Sequence, residues 1–216
     1  MRILGLSSAT EVISFGLIDG DRVVAEATIA ETRAEKIIPL LQEAGVQSEQ
    51  IEAIAVTAGP GSYSGLRGGL ATAKSLAQTL NIPLIGVSTL EAIAYNLVEV
   101  AGTIAVILDA RLDDYNFALF GAAAGKLKRL TGDLVIKQDK IVGLLEKIEG
   151  ELYLTGSRVK GQGPRKQFHF ADEVHAHPYG VNVAKLGLLK LKAGEKSDPL
   201  TLVPGYSHQP HFREFK

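Results

Sequence analysis

The first thirty residues combine short apolar runs with alternating apolar and polar positions, which is a pattern of β-strands. Three such segments lie at residues 3–6, 12–18 and 23–29. Asp19 and Gly20 separate the last two, and both residue types accept the positive φ angles of a tight hairpin turn. The pattern therefore predicts three antiparallel strands at the start of the chain.

The segment after these strands has helical spacing. In residues 36–44 the apolar side chains recur on one helical face, and Gly45 is a typical helix stop. Ser88 and Glu91 have the spacing of a capping box, which favours a helix start. In chain order we predict a helix at 36–44, a strand at 51–56, a helix at 65–80, a strand at 83–87 and a helix from 88 to 98.

The second half of the chain repeats this order weakly. Strand patterns lie at 103–108, 116–120 and 126–130, a helical pattern at 141–148 and a further strand at 152–154. The offset between the halves is roughly 100 residues. The sequence therefore predicts an α/β fold made of a duplicated β-β-β-α-β-α unit. We assign residues 1–100 and 101–216 to two small domains with a ligand cleft between them.

The composition is that of a soluble globular chain. Of the 216 residues, 46% are apolar and 22% are charged, and the formal net charge is -1. Because the chain has no cysteine, disulfides, thiolate nucleophiles and thiolate zinc sites are excluded. No apolar run approaches the roughly 20 residues of a membrane-spanning helix, so we expect a cytoplasmic protein without membrane contact.

The charge is divided unevenly along the chain. Residues 1–100 contain 6 Lys and Arg against 11 Asp and Glu, whereas residues 101–216 contain 17 against 13. This division predicts an acidic face and a basic face with different partners. The alternative is that it reflects only two solvated surfaces of ordinary composition.

A glycine-rich loop, Gly-Pro-Gly-Ser-Tyr-Ser-Gly-Leu-Arg, occupies residues 59–67 between a predicted strand and a predicted helix. Glycines allow close approach of another group, and free N–H groups at a helix start attract anions. The candidate anion or nucleotide residues are Gly59, Gly61, Ser62, Ser64, Gly65 and Arg67. The alternative is a tight turn without ligand, capped by Ser64, in which Arg67 pairs with an acidic group of the first half.

Other catalytic motifs are absent or incomplete. Residues 68–75 depart from the phosphate-binding pattern G-x-x-x-x-G-K-[ST] at Ala73, and no G-x-S-x-G elbow occurs. No two histidines are four residues apart, so the His-x-x-x-His spacing that holds a metal on one helix face is missing. The histidines are His169, His175, His177, His208 and His211. We therefore predict no metal site in this chain.

Four segments resemble the TsaB (YeaZ) family of bacterial tRNA threonylcarbamoyladenosine biosynthesis proteins. They lie at residues 4–20, 54–77, 83–94 and 106–120, and the most specific is the loop at 59–67, followed by the triplet Asp109-Ala-Arg111. The resemblance implies a duplicated actin-like, sugar-kinase-like (ASKHA, ribonuclease H-like) fold, which agrees with the repeat.

The same resemblance implies a function without catalysis by this chain. Members of the family pair with a related subunit, TsaD, which transfers threonylcarbamoyl to the adenosine beside the anticodon of certain tRNAs. A TsaE-like ATPase belongs to the larger complex, and a homodimer is expected when TsaD is absent. ATP and a metal are then expected in the partner complex, with no cofactor bound by this chain.

The resemblance further implies that two predicted helices, at 36–44 and 65–80, form the pairing surface. The residues assigned to it are Ile37, Leu41, Gly65, Gly68, Gly69, Thr72 and Ser75. On this interpretation Gly69→Arg should abolish the complex and leave the fold intact. The alternative is that these residues face the chain's own core.

A basic stretch at residues 155–166 carries four cations and no acidic residue. Cations in a loop suit a phosphate backbone, so we regard Arg158, Lys160, Arg165 and Lys166 as candidate tRNA contacts. The alternative is an ordinary solvated loop.

Two other function classes stay open from the sequence. One is an enzyme acting alone, either an actin-like ATPase or kinase with Asp109 as the general base, or a peptidase. The other is a self-associating binding module without any connection to tRNA.

Overall fold

The computed structural model describes residues 1–111, 113–156 and 168–207, which form two sheets with helices around and between them. The first sheet has the strand order β3-β2-β1-β4-β5. Its strands are β1 (Arg2–Ser7), β2 (Val12–Asp19), β3 (Arg22–Ala30), β4 (Ala53–Gly59) and β5 (Leu84–Ser88). Strands β1 to β3 are antiparallel, whereas β4 runs parallel to β1 and β5 parallel to β4.

The second sheet has the order β11-β10-β6-β7-β8, with β9 also paired to β7. Its strands are β6 (Gly102–Asp109), β7 (Asp114–Ala123), β8 (Lys126–Arg129), β9 (Leu134–Lys137), β10 (Leu152–Thr155) and β11 (Phe168–Phe170). The α-helices are α1 (Ile37–Glu43), α2 (Tyr63–Leu80), α3 (Thr89–Ala94), α4 (Gln138–Leu145) and α5 (Gly180–Lys192). Short 3-10 turns lie at Ala34–Lys36, Ser48–Gln50, Tyr95–Leu97 and Glu173–Ala176.

The two sheets repeat one topology. Each begins with antiparallel strands, and each then adds, after a helix, a strand parallel to its first one: β4 beside β1 and β10 beside β6. The predicted duplicated α/β fold is confirmed. The chain continues through α5, a helix that the sequence analysis did not assign.

Two helices that lie between the sheets pack on the sheet formed by the other half of the chain. Helix α5, from the second half, covers the inner face of the first sheet, where Val183 and Ala184 pack with Ile3 and Ala55. Helix α3 ends the first half, but its Leu90 packs on the second sheet. Helices α1 and α2 cover the outer face of the first sheet, and α4 covers the outer face of the second. Each sheet is therefore completed by a helix that the other half of the chain supplies.

Glycines bring α5 into direct contact with the first sheet. A methyl group on Gly5 would overlap the carbonyl oxygen of Gly180, and one on Gly180 would overlap the backbone of Phe15. Further along the helix, a methyl group on Gly187 would overlap the side chain of Ala55. Only glycine permits a helix backbone to lie this close to a strand.

No helix within residues 1–111, 113–156 and 168–207 is long and apolar enough to cross a membrane.

Candidate functional site

The glycine-rich loop lies between β4 and α2 and packs against its own chain. A methyl group on Gly61 would overlap the carbonyl oxygen of Ala9, and one on Gly65 would overlap the carbonyl oxygen of Ser8. Gly59 has a φ of +123°, and a methyl group there would overlap the carbonyl oxygen of Gly205. The Gly59-Pro60 peptide is cis. Three glycines of the loop are therefore accounted for by close packing within the protein.

Two of the backbone N–H groups at the start of α2 already donate hydrogen bonds to acceptors within the protein. The Ser62 N–H donates to the carbonyl oxygen of Ala9 at 2.8 Å, and the Gly65 N–H donates to Oγ of Ser62 at 3.4 Å. Ser62 is therefore the helix cap, and the assignment of that role to Ser64 is wrong because the helix begins two residues earlier than predicted. Ser64 lies within the first turn and is exposed. Anion or nucleotide binding by this loop stays a prediction.

Arg67 lies in an aromatic cluster at the start of α2. Its Nη1 donates to the Tyr63 hydroxyl at 2.7 Å, and its guanidinium carbon lies 5.2 Å from the centre of the Tyr63 ring. Tyr63 in turn packs on Tyr206, with 4.9 Å between ring centres. Burial raises the pKa of Tyr206, the nearby Tyr63 hydroxyl adds to that increase, and the charge of Arg67 opposes it. Arg67 forms no ion pair with any carboxylate of residues 1–100, so the alternative of an acidic partner there is wrong.

Four of the seven residues assigned to the pairing surface are buried. Ile37 and Leu41 are 1% and 6% exposed and belong to the core beneath α1. Gly65 and Gly69 face the turn after β1, where a methyl group on Gly69 would overlap Oγ of Ser8. These four assignments are wrong because both helices direct that face onto the first sheet. Gly69→Arg would disturb the fold and cannot serve as a test of pairing.

The remaining three assigned residues are accessible to different degrees. Ser75 is exposed, whereas Gly68 and Thr72 are half-buried and lie one turn apart, joined by a 2.9 Å bond from Thr72 Oγ1 to the carbonyl oxygen of Gly68. We use the name outer stripe for the exposed row of α2 that continues this surface. It consists of Ser64, Arg67, Ala71, Ser75 and Gln78.

Buried polar residues at the strand ends between the sheets were missed by the sequence analysis. Ser7 ends β1 and accepts a bond from Oγ1 of Thr57 at 3.3 Å. Thr155 ends β10 and donates to the carbonyl oxygen of His175 at 2.8 Å. Each residue is at most 2% exposed. Their common signal in the sequence is a hydroxyl residue at the end of an apolar strand, the place where parallel strands converge at a cleft.

Asp109, the candidate base of the kinase alternative, lies at the exposed end of β6. Its carbonyl oxygen accepts a bond from Nδ2 of Asn116, and the chain turns back into β7 through a bond from the Asp114 N–H to the carbonyl oxygen of Arg111. Asp109 thus begins the turn of the β6–β7 hairpin.

The backbones of His175 and His177 are held by one asparagine side chain. The carbonyl oxygens of His175 and His177 both accept bonds from Nδ2 of Asn96 at 2.9 Å. Nδ1 of His177 lies 3.8 Å from the Glu11 carboxylate. In the described part of the chain, no three side chains of the metal-ligating types are grouped so that they could hold an ion. His208 and His211 lie outside the described residues, as do the candidate tRNA contacts Arg158, Lys160, Arg165 and Lys166.

Comparison with known proteins connects these features to a family. Residues 25–187 match the family model of TsaD, described as tRNA N6-adenosine threonylcarbamoyltransferase. The TsaB protein of Bacillus subtilis (strain 168) is 32% identical over 161 residues, which is 71% of this chain and 70% of that protein. The TsaB protein of Escherichia coli (strain K12) is 34% identical over 125 residues, 55% of this chain and 54% of that protein. Both relatives are named tRNA threonylcarbamoyladenosine biosynthesis proteins.

The fold agrees with that of a solved relative. YeaZ from Pseudomonas aeruginosa superposes with a TM-score of 0.78 at 22% identity, over 95% of this chain and 99% of that one. The duplicated α/β topology, which the resemblance identified as actin-like, is therefore shared over 95% of the chain. From the sequence match to B. subtilis TsaB and from this fold, we conclude that the chain belongs to the TsaB (YeaZ) family, within the wider group that the TsaD model matches.

Proposed function

We propose that this chain is a non-catalytic, activating subunit that pairs with a TsaD-type transferase in the formation of threonylcarbamoyladenosine beside the anticodon of tRNA. Membership in the TsaB family is the observation that supports this proposal. The catalytic metal and ATP belong to the partner complex, which includes a TsaE-like ATPase. The setting is the cytoplasm, where tRNA is modified.

The outer stripe of α2 is the surface that we assign to pairing. Ala71 and Ser75 lie one turn apart on it, and the half-buried Gly68 and Thr72 lie beside them. Small side chains in a row leave a flat surface, so that a partner helix can approach at the short end of the 8–10 Å range of interaxial distances. Arg67 is the only cation of the stripe. In the absence of TsaD, the same surface holds two copies of this chain together.

We test the surface with Ala71→Arg. The added side chain should prevent the close approach of a partner helix, and co-purification with TsaD should fall at least tenfold. The matched control is Ala123→Arg, the same substitution at an exposed position at the end of β7 in the second half. Undiminished co-purification of the Ala71 variant, or equal losses in both variants, would contradict the assignment.

The same pair of variants tests self-association. The wild-type chain and Ala123→Arg should sediment as dimers without TsaD, and Ala71→Arg should sediment as a monomer. If Ala71→Arg still sediments as a dimer, the contact between the two copies lies on another surface.

The function itself is tested by reconstitution. TsaD, the TsaE-like ATPase, tRNA and threonylcarbamoyl adenylate are incubated with and without this chain, and the modified nucleoside is measured by mass spectrometry. We expect product only when TsaD and this chain are both present. Product formed by this chain without TsaD would support an enzyme acting alone, and product formed equally well without this chain would refute an activating role.

We further propose that Arg158, Lys160, Arg165 and Lys166 contact tRNA in the complex. Each cation that neutralises a phosphate contributes to the salt dependence of binding. Changing all four to Glu should weaken tRNA binding by the complex and reduce the slope of affinity against salt. Wild-type affinity and slope in that variant would reject the contact.

A further inference from the structure

The chain after α5 follows the open edge of the first sheet. The Ser197 N–H donates to the carbonyl oxygen of Leu84 at 2.8 Å, and the Gly86 N–H donates to Oγ of Ser197 at 3.1 Å. An edge strand such as β5 otherwise leaves these backbone groups to solvent or to a foreign strand. Residues around Ser197 therefore close this edge of the sheet from within the chain.

The next residues form a turn that brings one apolar side chain inward: the N–H groups of Thr201 and Leu202 both donate to the carbonyl oxygen of Asp198. Leu202 is half-buried, packs on the core beneath α2 and lies directly against Gly86. Leu200, two residues before it, is 78% exposed, and Val203, the residue that follows it, is 69% exposed. One apolar side chain thus anchors the segment, whereas two of similar character do not contribute to its packing.

The end of the segment reaches both halves of the protein. The Gly205 N–H donates to the carbonyl oxygen of Ala58 at 2.7 Å, in β4 of the first sheet. The Ser207 hydroxyl hydrogen-bonds to Oδ1 of Asn116, in β7 of the second sheet. Between them Tyr206 packs on the ring of Tyr63, whose hydroxyl accepts the hydrogen bond from Arg67.

We propose that residues 197–207 form a strap that closes the β5 edge, ties the glycine-rich loop to the second sheet and sets the orientation of Tyr63 and Arg67 at the start of α2. The close approach of Gly205 explains why residue 59 must be glycine, since any side chain there would displace the strap. The contacts are few and follow one another along a single short segment. The strap therefore opens as one unit, at a lower free energy than the sheets it connects. This device is independent of whether the chain pairs with TsaD.

The test is amide hydrogen exchange of the full chain with Leu202→Ala and, as the matched control, Val203→Ala. Loss of the anchor should accelerate exchange at Gly86, Ser197 and Gly205 together by roughly tenfold. Exchange in the centre of β6 should be unchanged. The exposed neighbour should leave all these rates as in the wild type.

Three results would contradict the proposal that residues 197–207 act as a strap. They are unchanged exchange at Gly86 and Gly205 in the Leu202 variant, equal acceleration in the Val203 variant, and acceleration throughout β6 by the same factor, which would mean global unfolding. Ser197→Ala provides a second variant, because it removes the acceptor of the Gly86 N–H without touching the core. If the strap is one unit, this change also accelerates exchange at Gly205, and an effect confined to Gly86 contradicts it.

A second measurement tests the orientation of the aromatic cluster. The ring resonances of Tyr63 should shift in Leu202→Ala and not in Val203→Ala, because only the first change releases Tyr206 from that ring. Identical Tyr63 resonances in both variants would show that the strap does not set this orientation.

Discussion

Small residues determine how closely the segments of this protein approach one another. The turn after β1 packs directly against Gly61 and Gly65 because these residues have no side chain. For the same reason Gly69 leaves room for the hydroxyl of Ser8 beneath α2. In the same contact the Ser8 hydroxyl donates to the carbonyl oxygen of Gly65 at 2.8 Å. The helix and the turn are thus fitted to each other at the level of single atoms, and added volume has no space to occupy.

Gly69→Ala should lower the free energy of unfolding by about 1–3 kcal/mol, the cost of inserting a methyl group into a packed contact. Gly143→Ala is the matched control, because Gly143 lies in α4 with no atom within 4 Å of an added methyl group. That change should raise the free energy of unfolding by about 0.5–1 kcal/mol, since alanine favours the helix. Urea unfolding measures both, and a stabilising Gly69→Ala would contradict the contact.

At the scale of elements, the start of α2 depends on one hydroxyl. Ser62 accepts the bond from the Gly65 N–H, whereas Ser64 is already inside the helix. The sequence pattern placed the cap at Ser64 because it placed the helix start at Gly65, whereas the helix begins at Tyr63. The turn at Ala9, which binds the Ser62 N–H, decides between the two.

Ser62→Ala should therefore cost about 1 kcal/mol of stability, the typical loss for removal of a helix cap. Ser64→Ala should change stability by less than about 0.5 kcal/mol, because this exposed position makes no cap and alanine suits a helix. Thermal or urea unfolding of the two variants provides the comparison. A larger loss of stability in Ser64→Ala than in Ser62→Ala would show that Ser64 caps the helix.

At the scale of the whole molecule, the two sheets depend on one another. Helix α5 covers the inner face of the first sheet, and Leu90 of α3 packs on the second. Polar contacts add to this connection: the Ser88 hydroxyl donates to Asp133, which also pairs with Arg129 at 2.6 Å. Neither sheet keeps a covered inner face without residues from the other half.

The halves should therefore unfold in one transition. Calorimetry of the wild type should give equal calorimetric and van't Hoff enthalpies. Gly187→Ala, which forces a methyl group against Ala55, should lower the midpoint by roughly 5 °C and keep a single peak. Leu189→Ala, on the exposed side of the same helix, should shift it by less than about 2 °C. Two separated peaks in any of these proteins would contradict the interdependence.

Local patterns were sufficient to predict most of the elements. The Asp19-Gly20 turn and the alternation around it defined β2 and β3, because a hairpin needs no information from distant residues. The capping hydroxyl of Ser88 was likewise found from its spacing to Glu91. Strands β9 and β11 are short and unsupported by periodicity, and they were missed.

The direction in which a helix face points was the main error. Ile37 and Leu41 lie on one stripe of α1, but the spacing that identifies a stripe does not say whether it meets the chain's own sheet or a partner. Helix α5 shows the opposite case, since Val183 and Leu186 recur at helical spacing and could have been assigned from the sequence. The close contact between α5 and Gly5 could not be predicted, because the two segments are far apart in the sequence.

The crossing of α5 onto the first sheet also has a consequence for biosynthesis. Strands β1, β2, β4 and β5 leave the ribosome well before residues 180–192 are made. Until then the inner face of that sheet, with Ile3, Ile18 and Ile85, lacks the cover of α5, although Ala92 of α3 and the nearby Tyr95 pack on it. The nascent chain must therefore keep this apolar surface from aggregating for the time needed to add about 90 residues, several seconds at ordinary translation rates. A chaperone that holds apolar strands is most useful to this protein during that interval.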